Sequence, residues 1–129
     1  MKIAITTWGN RVSPVFDAAQ TLLIADIENQ NIHNKKYESF QPDDIIALAA
    51  LLNREKVTAL VCGAISETYA ARLVENRIRM FAFVTGNAMD ILDCLARHNI
   101  IKPAFMMPGC TPIAKTPWPD PRLTESGIF

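Results

Sequence analysis

Three glycines stand where short apolar runs end: Gly9 after KIAITTW, Gly63 after ALVC and Gly86 after MFAFVT. Turns of this kind, set along one edge of a parallel sheet, line the crevice in which open α/β sheets bind ligands. The residues around them are small and polar. The first turn offers Thr6, Thr7, Gly9, Asn10 and Ser13, the second Gly63, Ala64 and Ser66, the third Thr85, Gly86 and Asn87. Backbone amides can approach a ligand closely at such positions, and helices starting at Ser66 and Asn87 would aim their positive ends at the same place. That chemistry suits an anion or a sulfur- or oxygen-rich cluster. The bland alternative is that the glycines serve tight turns alone, with Ser66 and Asn87 as plain helix caps.

The three cysteines differ in setting. Cys62 ends a strand-like run and Cys94 lies in an apolar helix pattern, so both suit burial. Cys94 and His98 are four apart and would share a helix face, but two ligands are too few for a stable zinc site. Cys110, in MMPGCTP, follows a Pro-Gly pair that keeps the chain out of helix and strand. Its thiol is the candidate soft ligand for a metal or cluster, or else an ordinary surface thiol. Trp8 could stack on a ligand or cover the end of the sheet, and Trp118 in TPWPDP could anchor the tail to the domain or to a partner. Neither GxGxxG nor GxxxxGK[ST] occurs, which argues against dinucleotides and nucleoside triphosphates. The runs 3–7, 58–62 and 79–84 carry no carboxylate, so two-metal phosphoryl transfer lacks its ligands. No nucleophile–base pair can be placed, and the expectation is a protein that is not an enzyme.

The elements that must position these residues follow from the pattern. Residues 3–7, 21–28 and 32–40 indicate three strands, the last two joined by the polar connection Asn29-Gln30-Asn31 as an antiparallel hairpin. The polar third strand, with Lys35 and Lys36, suits a sheet edge. Pro42-Asp43-Asp44 signals a helix start, with Ile45, Ile46, Leu48, Ala49 and Leu52 as its inner face. Buried strands follow at 58–62 and 79–84, each leading into a helix, with inner faces Tyr69, Ala70, Leu73 and Val74, then Ile91, Leu92, Leu95 and Ala96. The order β-β-β-α-β-α-β-α, with right-handed crossovers, predicts an α/β fold of three layers. Its mixed five-stranded sheet has the first strand central and helices on both faces, similar to ribonuclease H in topology. Six of the eight prolines lie between Pro103 and Pro121, which divides the chain into a domain over 1–102 and an extended or mobile tail over 103–129.

Composition limits the partners. Thirteen basic and thirteen acidic residues cancel, so neither nucleic acid nor an anionic membrane surface is favoured. Apolar runs are far shorter than the roughly 20 residues that span a bilayer, and no signal peptide is evident, so a cytoplasmic location is expected. An odd number of widely spaced cysteines in a reducing compartment does not make a disulfide framework.

The opening MKIAITTWGNRVSPVFDAAQTLLIADIE, with ALVCGAIS and RMFAFVTGNAMDIL, resembles the nitrogenase iron–molybdenum cofactor biosynthesis accessory family over residues 1–98. The shared features are the first strand and its glycine loop, the segment Val12-Ser13-Pro14-Val15-Phe16, and a strand closing on Asp26-Ile27-Glu28. The resemblance implies a ribonuclease H-like fold and a non-catalytic carrier or insertion factor for an iron–sulfur, iron–molybdenum or thiomolybdate-type cluster. Many members carry histidine before the phenylalanine, where it can ligate a cluster; here that place is Val15, followed after Phe16 by Asp17. The substitution leaves three alternatives: a different cluster, binding through Cys110, or no cluster. The metal-free alternative is a regulatory or protein-interaction module on the same fold, with a protein partner met through the tail.

Overall fold

Strand β1 (Lys2–Trp8) is apolar on both faces, and both faces are covered. In the computed structural model, which describes residues 1–98 and 100–107, Ile3 and Ile5 join one core with Ile91, Leu92 and Leu95 of α3 (Ala88–His98). Ala4 belongs to the opposite core, with Leu48 and Leu52 of α1 (Ile45–Arg54) and Ala70 and Leu73 of α2 (Glu67–Glu75). The molecule is therefore a mixed α/β sheet with helices on both faces.

The strands β2 (Arg11–Val12), β3 (Thr21–Glu28), β4 (Asn31–Ser39), β5 (Ala59–Val61) and β6 (Arg79–Phe81) complete the sheet in the order β4-β3-β1-β5-β6, with β2 off this path and paired to β1. β1 is antiparallel to β3 and parallel to β5, and β5 is parallel to β6. The central place of β1 and the edge place of β4 agree with the pattern expected from the sequence. The sixth strand, β2, does not; two residues carry no readable period.

The β3–β4 turn is tighter than the three polar residues suggest. Asn29 and Gln30 both take left-handed φ, 50° and 65°, the geometry that matches strand twist in a two-residue hairpin. Asn31 already belongs to β4. Helix α1 begins at Ile45, later than the Pro42-Asp43-Asp44 signal implies. Asp44 is the cap, its carboxylate accepting from the Ala47 amide at 3.1 Å. Capping there puts Ile45, Leu48, Ala49 and Leu52 inward and turns Ile46 outward, 82% exposed, against its expected inner position.

β6 also stops early, at Phe81. Phe83 has φ 63°, a costly conformation for a bulky side chain. Alternation would set Phe83 on the face of Phe81, yet it packs with the α1–α2 core while Val84 turns to the α3 core. Beyond α3, Ile101 is buried, and Pro103–Phe105 forms a 3-10 turn. The Thr85 amide donates to the Phe105 carbonyl at 2.6 Å, and the Met107 amide to the Phe83 carbonyl at 2.9 Å. Among the described residues no helix is long and apolar enough to cross a membrane.

Candidate functional site at the carboxyl edge of the sheet

Because β1, β5 and β6 run parallel, their carboxyl ends share one edge, and the three glycine turns meet there. Gly9 opens the two-residue turn of the β1–β2 hairpin at φ 64°, where a side chain would be strained. Gly63 is required for a different reason. A Cβ on it would collide with the backbone carbonyl of Ser13 and lie 2.5 Å from that of Pro14.

The segment from Asn10 to Phe16 crosses this edge and ties the turns together. Its Ser13 amide donates to Thr6, its Val12 amide to Gly86 at 2.9 Å, and its Phe16 amide to Ala64 at 2.8 Å. In return it accepts from the Ala64 amide at Pro14 and from the Ala88 amide at Asn10, both at 2.9 Å. The side chains are engaged as well. Thr7 donates its hydroxyl to the Thr21 carbonyl at 3.3 Å, and Ser13 to the Val15 carbonyl at 2.8 Å. Thus Thr7, Gly9, Asn10, Ser13, Gly63, Ala64, Ser66, Thr85, Gly86 and Asn87 lie on or beside one sheet edge. Thr7, Ser13 and Gly63 are buried within it, while Gly9, Asn10 and Ser66 are exposed.

Both caps have the roles their residue types suggest. Ser66 accepts from the Tyr69 amide at 3.2 Å, and Asn87 Oδ1 accepts from the amides of Met89 and Asp90 at 2.9 and 3.2 Å. The Ala88 amide reaches Asn10 and the Ile91 amide reaches the Asn87 carbonyl. All four leading amides of α3 are therefore satisfied within the chain. The helix still projects a positive field outward.

Soft ligands are scarce at this edge. Cys62 is wholly buried, and burial pushes its thiol up to about 12, so it stays protonated. Cys94 is buried and donates its thiol to the Ile100 carbonyl at 3.2 Å, away from the turns, while His98 is exposed. Among the described residues no group of three or more His, Cys, Asp or Glu could hold a metal ion. Cys110 lies outside the described residues. For a metal–sulfur cluster, the described edge thus supplies polar and charged contacts but neither thiolate nor imidazole. A nearby groove of about 290 Å³ is lined by Asp17, Gln20, Gln41, Asp43 and Tyr69, and its two carboxylates oppose an anion.

Sequence reasoning misses one residue here, Arg11. It is exposed, opposes Trp8 across the hairpin and Asn87 across an isolated antiparallel bridge. The signal available was its place two residues beyond Gly9, but β2 has to be known before that position has meaning.

These features define a small α/β domain whose parallel strand ends present a closed, glycine-turned polar edge. The chain belongs to the dinitrogenase iron-molybdenum cofactor family, whose model matches residues 1–98. Its fold is similar to the crystal structure of PH0822, with TM-score 0.66, 16% identity, and coverage of 74% of this chain and 88% of that one. It is likewise similar to the crystal structure of MJ0327 from Methanocaldococcus jannaschii, with TM-score 0.59, 21% identity and the same coverage of 74% and 88%. A nuclear magnetic resonance structure of MJ0327 gives TM-score 0.58 at 22% identity, covering 74% of this chain and 84% of that one. No curated protein matches the chain.

Proposed function

We propose that this protein is a cytoplasmic, non-catalytic carrier for an anionic metal–sulfur cargo of the iron–sulfur, iron–molybdenum or thiomolybdate type. The cargo rests at the carboxyl edge, near Thr7, Gly9, Asn10, Ser13, Gly63, Ala64, Ser66, Thr85, Gly86 and Asn87, with Cys110 as the thiolate ligand. The observation that carries this reading is the convergence of three turns and the amino ends of α2 and α3 on one edge in a member of a cofactor-related family. Support for Cys110 comes from elimination among thiols: Cys62 and Cys94 are both buried.

Anaerobic reconstitution with iron, sulfide and molybdate, read by absorbance and metal content, tests the proposal. Stoichiometric uptake is expected, and Cys110→Ser should retain less cargo with an unchanged thermal midpoint. Equal retention by the variant would remove Cys110 from the site, and no uptake under any of these conditions would end the carrier reading.

A second reading is favoured by one observation: Trp8 is 66% exposed and Val15 46% exposed on the same edge. Exposed tryptophan is a common anchor of protein interfaces. On this reading the protein is a metal-free interaction module. A partner captured by the wild-type chain but not by the Trp8→Ala variant, with no metal in the complex, would favour it.

A further inference from the structure

The crevice expected between the glycine turns is filled by the chain's own segment Asn10–Phe16. Val12, Ser13 and Phe16 are buried in it, and the Phe16 ring also packs at a tilt against those of Phe40 and Tyr69, with centroids 6.0 and 5.8 Å away. Lifting this segment would open the core. A cargo therefore meets the outside of the edge.

We infer that an anionic cargo is recognised on this outer rim by a row of three residues, Trp8, Arg11 and Asn87. The inference rests on the carrier reading above and adds the recognition element. Trp8 opposes Arg11 in the β1–β2 register, and Arg11 opposes Asn87 in an antiparallel bridge. The bonds from Val12 to Gly86 and from Ala88 to Asn10 bracket the Arg11–Asn87 pair. Bracketing of this kind marks the closer class of antiparallel pair, with Cα atoms roughly 4.5 Å apart. Directly opposed residues carry their side chains on the same face of a sheet. An indole, a guanidinium and the amide that caps α3 thus follow one another in a line.

Arg11 is exposed and makes no ion pair among the described residues. Its planar fork of donors fits a tetrahedral oxo- or thioanion through two parallel contacts. The positive end of α3 lies beside it, and its field reaches the rim although its amides are taken. Trp8 offers a broad polarizable face to soft sulfur. Asp90, exposed in the first turn of α3, opposes this attraction and limits affinity. The ligand class is a small thiometallate dianion or the anionic face of a metal–sulfur cluster.

Titration of the full-length protein with tetrathiomolybdate tests the row, with equilibrium dialysis for occupancy and Trp8 fluorescence followed in a Trp118→Phe background. Saturable quenching of Trp8 is expected. Arg11→Glu should weaken binding about tenfold or more, Arg11→Lys less, and Asp90→Asn should tighten it. Added salt should weaken the wild type toward the Arg11→Glu value. Should Arg11→Glu fail to fold, Arg11→Gln and the salt dependence decide. Binding that is indifferent to Arg11 and to salt, or that leaves Trp8 unquenched, overturns the rim and leaves the carrier reading standing. A wild-type protein that takes up no tetrathiomolybdate, iron–sulfur or molybdate species would overturn both.

Discussion

At the scale of single residues, the edge carries a polar group, the Thr6 hydroxyl, with no partner among the described residues. Thr6 is wholly buried, and its Oγ1 has no hydrogen-bond partner among the described residues. A buried hydroxyl without a partner costs stability, whereas its removal with shape retained does not. Thr6→Val should therefore raise stability by about 1 kcal/mol, measured as a higher urea midpoint at unchanged slope. An unchanged or lower midpoint would mean that the hydroxyl is satisfied in solution. The sequence marks Thr6 as polar and close to a glycine turn, but its isolation depends on the approach of Ser13 to β1. Gly63 teaches the same point. Its position after a strand is legible, while the reason that no side chain fits there, the backbone of Ser13 and Pro14, belongs to a distant segment.

At the scale of elements, regular periods are legible and left-handed residues are not. β3 occupies the eight residues that its apolar run indicates, and the Ser66 and Asn87 caps are visible from residue type alone. In contrast, Phe83 breaks β6 with a φ that no propensity assigns to phenylalanine, because tertiary contacts on both faces outweigh the strain. Ile46 misleads for a related reason: the stripe depends on where the cap falls, and Asp43 and Asp44 compete for it. The helix ends carry another concealed feature. Lys56 and Arg77 follow α1 and α2 at φ 58° and 66°, and the amides of Val57 and Ile78 reach back to Leu52 and Leu73 at 2.9 and 3.0 Å. Glycine prefers this position, since it lacks the steric penalty of a Cβ. Arg77→Gly is expected to stabilise the fold by about 0.5–1 kcal/mol, and a fall in thermal midpoint would count against the assigned geometry.

At the scale of the whole molecule, one ion-pair cluster joins the outer strand to the centre. Glu55, just past α1, lies 2.6 Å from Lys36 on β4 and 3.7 Å from Lys2 on β1. The Lys36 hydrogen bond holds the Glu55 carboxyl below its ordinary 4.5, against partial desolvation and with help from the charges of Lys36, Lys2 and Arg54. A lowered carboxylate contributes stability above its unfolded value and loses it as pH falls through the lower folded value. The same bond raises Lys36 above its ordinary 10.5. That contribution is present below the unfolded lysine value and is lost as pH rises through the folded one. The link should therefore hold across the neutral range and fail at both ends. Denaturant midpoints taken across pH should show Glu55→Gln with a shallower acid decline than wild type. An acid limb identical in the two proteins would remove Glu55 from the account.

The strands that flank β1 along its length, β3 and β5, are synthesised at different times. β3 follows soon after, at Thr21–Glu28, but β5 arrives only at Ala59–Val61. On the ribosome, a meander of β1, β3 and β4 can form while the far side of β1 waits for its partner. During that interval the backbone of Ile3, Ala4 and Ile5 presents an unpaired, apolar strand edge, the kind that recruits other chains. A fragment ending at Lys56 should self-associate on dilution from denaturant, as sedimentation would detect, and a monodisperse fragment would contradict the idea. Translation of β5 removes the hazard by pairing Ile3, Ala4 and Ile5 with Ala59, Leu60 and Val61. The order of strands along the chain thus sets a window of vulnerability that the finished protein no longer displays.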